Sequence, residues 1–269
     1  MSKVILVTGA TSGIGLYCAE MLAARGHKVY GCGRRVDETN PDPALGYKLI
    51  RCDINDQNSV EECINKIKNE SGRIDVLVNS AGFAFGGGIE DTTAEEAKVQ
   101  FETNYFGTHR MCREVMPVMR RQKGGMIINI SSVASEFVVP FQAFYSMSKM
   151  AMDGLTSAIR MEGKPFGIIA CSVNPGDVKS GFTAARLQAA NINSQSAYYD
   201  ATMKSIETMK RDEMNGMAPQ RVAALVCRLV EKKSLKPKYF IETQYKAIVF
   251  LKRIMPASFI EYLLMKSYS

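Results

Sequence analysis

The sequence has few residues of the kinds that build metal centres and disulfide frameworks. Its 269 residues include only two histidines, and its seven cysteines are odd in number, scattered and never in a Cys-x-x-Cys pair. This pattern argues against a zinc site and a disulfide framework and favours a reducing compartment. We therefore predict no metal site and a cytoplasmic location.

Long apolar runs and targeting signals are also missing. The apolar run at residues 4–7 is too short for the hydrophobic region of a signal peptide, and no segment is long enough to span a bilayer. The net charge is +7, but basic and acidic residues are interspersed and no basic-aromatic stripe is visible. We expect no nucleic-acid partner, whereas a basic balance suits an enzyme with an anionic cofactor.

Short β-branched runs alternate with longer stretches of helical periodicity along most of the chain. Hydrophobic residues make up 46% of the sequence, which is enough to fill a sizeable core. The alternation predicts an α/β fold, a single Rossmann-type doubly wound parallel sheet of about seven strands with helices on both faces. We expect one dinucleotide-binding and catalytic domain over residues 1–269. The predicted strands are residues 4–7, 28–32, 48–52, 74–79, 126–130, 167–173 and 238–241.

A glycine-rich turn follows the first predicted strand and reads Thr8-Gly9-Ala10-Thr11-Ser12-Gly13-Ile14-Gly15. Glycines let such a turn bend and let the backbone approach a pyrophosphate. The next helix begins in this turn, and its N-terminus offers free N–H groups and a partial positive charge to phosphates. The turn predicts a dinucleotide site, although a glycine-rich turn by itself is also compatible with a purely structural role.

A tyrosine and a lysine four residues apart, Tyr145 and Lys149, lie on one face of a predicted helix. Reduction of a ketone requires a proton for the developing alkoxide, which a tyrosine can deliver. In the oxidising direction the phenol has to ionise, and its ordinary pKa near ~10 is too high for neutral pH. We expect the lysine ammonium and the positive nicotinamide of an oxidised cofactor to lower that pKa.

Together these motifs resemble the short-chain dehydrogenase/reductase family, over roughly residues 3–181. The resemblance implies hydride transfer between a nicotinamide and a carbonyl or alcohol group. In Asn79-Ser80-Ala81-Gly82 a serine stands where the family usually has a second asparagine. The motifs are Thr-Gly-x-x-x-Gly-x-Gly after the first strand, Asn79-Ser80-Ala81-Gly82, Asn104-Tyr105-Phe106-Gly107, Ser132 thirteen residues before Tyr145, Tyr-x-x-x-Lys, and Pro175-Gly176-Asp177-Val178.

The resemblance implies four catalytic residues: Asn104, Ser132, Tyr145 and Lys149. Ser132 would hold the substrate oxygen and stabilise its charge, and the neighbouring Ser131 is the alternative for this role. Tyr145 would be the acid/base, Lys149 would also bind the nicotinamide ribose, and Asn104 would anchor a water for proton relay.

The same motifs imply a cofactor-binding set. Asp53 would contact the adenine ring, residues 175–178 would cradle the nicotinamide, and Ser180, where threonine is commoner, would bond its carboxamide. The full set is Thr8, Gly9, Ser12, Gly13, Ile14, Gly15, Arg34, Arg35, Asp53, Ile54, Asn79, Ala81, Gly82, Tyr145, Lys149, Pro175, Gly176, Val178 and Ser180.

The residues at the end of the second predicted strand indicate whether the cofactor is NAD or NADP. No acid stands at its tip to bind a ribose 2′-hydroxyl, and Arg34 and Arg35 stand where a 2′-phosphate would lie. This favours NADP(H). Asp37 and Glu38 lie further along and could still reach a ribose, and the two arginines could also be ordinary surface charges.

The substrate is the least determined feature. We expect a lid at about residues 180–218, rich in methionine and aromatic residues, facing an apolar loop after Ser132; this combination suits a bulky apolar ligand, although the same residues could simply pack the lid. The layout resembles the group that holds 17β-hydroxysteroid dehydrogenases, retinol dehydrogenases and acyl-dihydroxyacetone-phosphate reductases. That resemblance suggests a steroid-, retinoid- or acyl-like carbonyl or alcohol substrate.

The C-terminal segment, about residues 243–267, mixes large apolar and basic residues. We favour a helical extension that caps the core or joins subunits of a homodimer or homotetramer over one that contacts a membrane surface.

Three alternatives to an NADP-dependent reductase remain. They are a non-catalytic NADP(H)-sensing Rossmann protein, an NAD-dependent alcohol dehydrogenase of the same family, and an extended-type epimerase or dehydratase, whose glycine spacing and longer C-terminal domain this sequence lacks.

Overall fold

The computed structural model describes residues 2–39 and 43–268. The two ends of the predicted domain, Met1 and Ser269, lie outside the described residues. The described part of the chain contains a parallel sheet of seven strands. They are β1 (Val4–Thr8), β2 (Lys28–Gly33), β3 (Lys48–Arg51), β4 (Val76–Asn79), β6 (Gly125–Ile130), β7 (Ile168–Asn174) and β9 (Lys238–Phe240). Their order in the sheet is β3-β2-β1-β4-β6-β7-β9. This confirms the predicted fold, and the predicted strand ends agree with the observed ones to within two residues.

A second, two-stranded parallel sheet joins β5 (Phe85–Gly86) to β8 (Leu187–Gln188). The sequence analysis did not predict these strands, because two-residue strands carry no periodicity. Their pairing ties the segment after β4 to the expected lid segment.

Helices cover both faces of the large sheet. Local signals explain several of their ends: Asp56 accepts hydrogen bonds from the first turn of α2, Gly72 ends α2 in a left-handed conformation, and Thr93 and Glu96 form a capping box on α3. The helices are α1 (Gly13–Ala23), α2 (Gln57–Ser71), α3 (Ala94–Phe101), α4 (Thr108–Arg121), α5 (Ala143–Gly163), α6 (Tyr199–Met214), α7 (Pro219–Val230), α8 (Thr243–Lys252) and α9 (Ala257–Tyr268).

The hydrophobic core forms two layers, because successive residues of a strand point to opposite faces of the sheet. In β1, Ile5 and Val7 pack with α1 and α7, whereas Leu6 packs with α2, α4 and α5. The chain leaves β1 toward β2 on one side and returns to β4 on the other. Ligands of doubly wound sheets bind outside the carboxyl ends of the strands at such a switch point. Among the described residues, no helix has the length and apolar character required to cross a membrane.

Candidate active site

The glycine-rich turn lies at the switch point between β1 and β4, and its geometry requires glycine. Gly9 has a φ of +67°, and a Cβ atom there would lie 2.9 Å from the Cα of Ala81. A Cβ atom on Gly15 would lie 2.4 Å from the carbonyl oxygen of Gly9. Since neither position tolerates a side chain, the turn and the start of α1 are held against the sheet.

The start of α1 has no side-chain cap among the described residues. Ser12 is the N-cap residue, but its side chain makes no capping hydrogen bond, and the first turn holds no acidic residue. A helix N-terminus of this kind presents N–H groups and a partial positive charge to an anion. Gly13, at φ +55°, and Ile14 open the helix at this point.

Thr8 joins the carboxyl ends of β1 and β4. Its Oγ1 accepts hydrogen bonds from the backbone N–H groups of Ser80 at 3.0 Å and Ala81 at 3.1 Å. The side chain of Asn79, in contrast, is buried and donates to Oδ1 of Asn129 at 2.9 Å. The structure therefore brings Thr8 and Ala81 together at the switch point, while the Asn79 amide faces the core between β4 and β6.

At the tip of β2, the basic and acidic side chains differ in whether they have partners among the described residues. Arg34 and Arg35 are exposed, and neither makes a side-chain hydrogen bond or ion pair within residues 2–39 and 43–268. Glu38 accepts a hydrogen bond from the backbone N–H of Arg51 at 2.7 Å and pairs with Lys66, which lowers the pKa of its carboxyl.

The other acid near this tip, Asp37, accepts hydrogen bonds from the backbone N–H and the hydroxyl of Thr39. The two acids that the sequence analysis kept as possible ribose ligands thus have partners within the chain. A cavity of about 790 Å³ opens beside them and is lined by Arg34, Asp53 and Cys63 among others.

Asp53 and Ile54 follow β3, close to the tip of β2. Oδ1 of Asp53 accepts a hydrogen bond from the backbone N–H of Asn55 at 3.0 Å, which fixes the carboxylate in a tight turn. Ile54 is buried against Gly107, where a Cβ atom would lie 2.7 Å from its Cδ1. Asp53 is partly buried and lines the cavity.

The loop after β7 approaches the glycine-rich turn from the other side. A Cβ atom on Gly13 would lie 3.8 Å from Cβ of Ser180. Pro175 is buried and accepts a hydrogen bond from the N–H of Val133, and Val178 is buried in the core beside α7. Gly176 lies under the ring of Tyr245, a residue of α8 that the sequence analysis did not single out.

Tyr145 lies in α5 with 8% of its surface exposed, and the Ser132 side chain is near its phenol. Burial raises the pKa of Tyr145 to about 12, although the nearby Ser132 hydroxyl acts to lower it. In the protein chain itself the shift is therefore opposite to the lowering that the sequence analysis expects from Lys149 and an oxidised nicotinamide. A raised pKa keeps the proton on the phenol at neutral pH, which is the form needed to protonate an alkoxide.

The two adjacent serines differ in what their hydroxyls contact. Ser132 lies beside Tyr145, whereas the buried Ser131 donates to the carbonyl oxygen of Lys149 at 3.4 Å. The geometry thus favours Ser132 over Ser131 as the group that meets a substrate oxygen.

Lys149 is buried one turn beyond Tyr145. Its ammonium donates to the carbonyl oxygen of Ile130 at 2.9 Å and lies 5.7 Å from the centroid of the Tyr145 ring. Burial lowers the pKa of Lys149 to about 8, and the nearby Asp153 acts in the opposite direction. A Cβ atom on Gly82 would lie 3.0 Å from Oδ1 of Asn104 and 3.8 Å from Nζ of Lys149, so the tight contact at this glycine is with Asn104.

Asn104 lies in a single π-helical segment, Glu102–Gly107, between α3 and α4. Its side chain accepts from the backbone N–H of Phe83 at 3.1 Å and donates to the carbonyl of Phe83 at 3.0 Å and to Oγ of Ser148 at 3.1 Å. Such π-helical segments occur frequently at functional sites. The fully buried Asn104 thus links the segment after β4 to α5, next to Lys149.

Apolar side chains surround the Tyr145 ring. Phe182 packs edge-on against it with ring centroids 5.7 Å apart, and Ala84, Ala134 and Val139 complete the cluster. Some residues of the expected lid have other roles, since Met209 and Met217 are buried, and Met217 packs in the large core.

A buried ion pair near the tyrosine was missed by the sequence analysis. Arg186 pairs with Glu213, with side chains 3% and 13% exposed, and Thr183 also donates to Glu213. Both charges act on Tyr145: the carboxylate raises its pKa and the guanidinium lowers it. No sequence signal marked this pair, because the two residues are far apart in sequence and belong to no motif.

Three of the seven cysteines, which are far apart in the sequence, lie close together in the fold. The sulfur atoms of Cys32, Cys52 and Cys63 lie within 4.8 Å of one another, all buried beneath the β2 and β3 tips. They belong to the hydrophobic core layer beside α2.

Comparisons with known proteins agree with this geometry. The family model described as short chain dehydrogenase matches residues 3–191. The chain is 39% identical over 233 residues to 3-ketodihydrosphingosine reductase of Bacteroides thetaiotaomicron, covering 86% of this chain and 85% of that protein.

Two solved structures show the same fold. One is a short-chain dehydrogenase from Streptomyces avermitilis, with a TM-score of 0.83, 27% identity and 94% of each chain covered. The other is ElxO with NADP bound, with a TM-score of 0.75, 26% identity, and coverage of 92% of this chain and 100% of that one.

Proposed function

The chain belongs to the short-chain dehydrogenase/reductase family of oxidoreductases, and we propose that it uses NADPH to reduce the carbonyl group of a bulky, largely apolar ketone or aldehyde. The observation that carries the proposal is that Tyr145, buried so that its pKa is raised, lies in an apolar cluster around its ring. This arrangement supports delivery of a proton to a substrate whose flanks are hydrophobic.

The proposed division of roles uses four side chains. NADPH, when bound, supplies the hydride. Ser132 donates a hydrogen bond to the carbonyl oxygen and stabilises the charge that develops there. Tyr145 then transfers its proton to that oxygen, while Lys149 holds the nicotinamide ribose and Asn104 anchors the water that returns a proton to the site.

The preference for NADP(H) is supported by the β2 tip. Arg34 and Arg35, whose side chains have no partner among the described residues, offer charge and hydrogen-bond donors to a 2′-phosphate, whereas Glu38 is held by Arg51 and Lys66. We propose that the remaining residues of the cofactor set, from the glycine-rich turn to Ser180, contact the rest of the dinucleotide.

Two arguments support a large and mostly apolar substrate: the energetics of burial and the name of one relative. Apolar surface removed from water contributes about 25 cal/mol per Å², so a long acyl or steroid-like ligand gains several kcal/mol that a small ketone cannot. The relative named 3-ketodihydrosphingosine reductase points to a long-chain ketone. We also propose that residues 180–218 cover the bound substrate.

The test is a comparison of kcat/KM at fixed NADPH. The panel is 3-ketodihydrosphingosine, a ketosteroid, retinal, a keto-sugar and a small polar ketone. We expect the bulky apolar compounds to exceed the small polar ones by about 10²-fold or more, after allowance for immobilising ligand and lid. Small polar ketones that match the bulky ones would refute the substrate class, and NADPH binding without turnover of any panel member would support a sensor instead of an enzyme.

A further inference from the structure

The two C-terminal helices each expose a row of apolar side chains. On α8 and the turn after it, these side chains recur at the i, i+3, i+4, i+7 spacing that places them on one helix face, and on α9 they recur at i, i+3 and i+4. Phe250 is 62% exposed, Ile254 69% and Tyr262 58%. We call this set the C-terminal apolar surface: Ala247, Phe250, Leu251, Ile254, Phe259, Tyr262 and Leu263.

Packing among the described residues does not account for this surface. Val249 is the single buried residue of α8, and α9 has none among its described side chains. A helix capping the core would bury its apolar face there. A group of apolar side chains left on the outside of a domain marks an interaction surface.

Positive charge borders the C-terminal apolar surface. Lys246, Arg253 and Lys266 are exposed, and none of them has an ion pair or side-chain hydrogen bond with another described residue. The fourth base, Lys252, is paired with Glu136. Residues 243–268 contain one acid, Glu261.

We propose that the C-terminal apolar surface docks the protein on an anionic lipid membrane, with α8 and α9 lying in the interface. Apolar side chains enter the acyl boundary, while the bordering cations meet the phosphate headgroups. A second copy of the chain fits this surface less well. In a two-fold dimer the same patch faces itself, so that cations would lie against cations.

The docking surface is joined to the active site by two contacts of α8. The phenol of Tyr245 donates to a carboxylate oxygen of Asp177 at 2.7 Å, and its ring packs on Gly176. Lys252, on the same helix, lies 5.1 Å from the centroid of the Phe137 ring, in the loop after Ser132. A lipid-like substrate would therefore leave the bilayer beside the catalytic residues, an inference that rests on the proposed function.

The docking is tested by co-sedimentation with vesicles, without cofactor or substrate. The vesicles are pure phosphatidylcholine or phosphatidylcholine with phosphatidylglycerol. We expect the wild type to bind the anionic vesicles and to release them as salt rises toward ~0.5 M, because salt screens the charge contribution. Binding should weaken at least tenfold in Phe250→Ser/Ile254→Ser and in Lys246→Gln/Arg253→Gln/Lys266→Gln.

The matched control is Met161→Ser, an exposed apolar residue of α5 that is 71% accessible, and it should bind as the wild type does. Circular dichroism of each variant confirms folding. Failure of the wild type to bind, equal binding to neutral vesicles, or an equal loss in Met161→Ser would overturn the proposal. A fall in solution mass by light scattering in Phe250→Ser/Ile254→Ser would instead identify a contact between copies. None of these readouts uses turnover, so their failure leaves the proposed reductase activity standing.

Discussion

The ammonium nitrogen of Lys149 lies 5.7 Å from the centroid of the Tyr145 ring, and both side chains are buried. Burial disfavours the charged form of each group, so it moves their pKa values in opposite directions. The pKa of Tyr145 rises to about 12 and that of Lys149 falls to about 8. Near neutral pH the phenol holds its proton while the lysine remains mostly charged, which suits the reductive direction.

Replacement of Tyr145 by Phe keeps the ring and removes the proton donor. General acid catalysis contributes about 10²–10⁴-fold, so kcat for ketone reduction should fall by at least ~10²-fold. NADPH binding, followed by fluorescence titration, should stay close to that of the wild type. Tyr239 in β9, whose hydroxyl accepts a hydrogen bond from the backbone N–H of Lys236, supplies the control, since Tyr239→Phe should leave kcat unchanged. A variant at position 145 that keeps more than a tenth of wild-type activity would show that another group carries the proton.

The two neighbouring serines provide a matched pair. Ser132→Ala removes the hydroxyl beside Tyr145, and we expect kcat to fall by about 10²–10³-fold, the usual cost of a lost oxyanion donor. Ser131→Ala removes a long bond to the carbonyl of Lys149, and its effect on kcat should stay below about tenfold. Steady-state kinetics of both variants decide the assignment, and a reversed order would assign the role to Ser131.

Lys149 should make stability depend on pH. Its folded pKa, about 8, lies below the ordinary value of 10.5, so between these values the unfolded chain binds more protons and the free energy of unfolding rises with pH. Lys149→Met lacks this group. The unfolding free energy of wild type minus that of Lys149→Met should thus increase by about 2 kcal/mol from about pH 7.5 to about pH 9.5. Urea unfolding at both pH values measures it, and a difference that does not change with pH would show that Lys149 is not desolvated.

The β2 tip predicts the choice of dinucleotide. Arg34→Ala/Arg35→Ala should weaken NADPH binding by about 1.5–3 kcal/mol, the scale of hydrogen bonds to a charged group, and should barely affect NADH. Another exposed arginine pair, Arg120→Ala/Arg121→Ala in α4, is the control and should change neither affinity. Calorimetric titration gives all the constants. Equal losses for the two dinucleotides would indicate that the arginines support the fold or the pyrophosphate site.

The buried pair of Arg186 and Glu213 should be sensitive to removal of one partner. Arg186→Met leaves a carboxylate with 13% exposure uncompensated, which should cost about 3–5 kcal/mol of unfolding free energy. Arg186→Met/Glu213→Leu should recover most of the loss, since both charges are then absent. For the exposed pair of Glu95 and Lys98, Lys98→Met should change stability by less than about 1 kcal/mol. A single variant as stable as the wild type would mean that water or another group satisfies Glu213.

The order of the strands along the chain and the placement of Tyr145 and Lys149 on one helix were readable in the sequence. β1 is a run of β-branched and aliphatic residues that ends in a glycine-rich turn, and each feature acts over a few neighbouring residues. Tyr145 and Lys149 share a helix, so their spacing alone places them together. Such local patterns follow from backbone geometry and side-chain periodicity, and a sequence displays both directly.

Contacts between distant segments were decided by the tertiary structure alone. The buried pair of Arg186 and Glu213, the packing of Tyr245 on Gly176 and the meeting of Cys32, Cys52 and Cys63 join residues that no spacing connects. The core-facing amide of Asn79 and the raised pKa of Tyr145 likewise depend on what surrounds each side chain after folding. Burial and electrostatic environment are sums over neighbours brought together by packing, and the linear order of residues does not specify which neighbours those are.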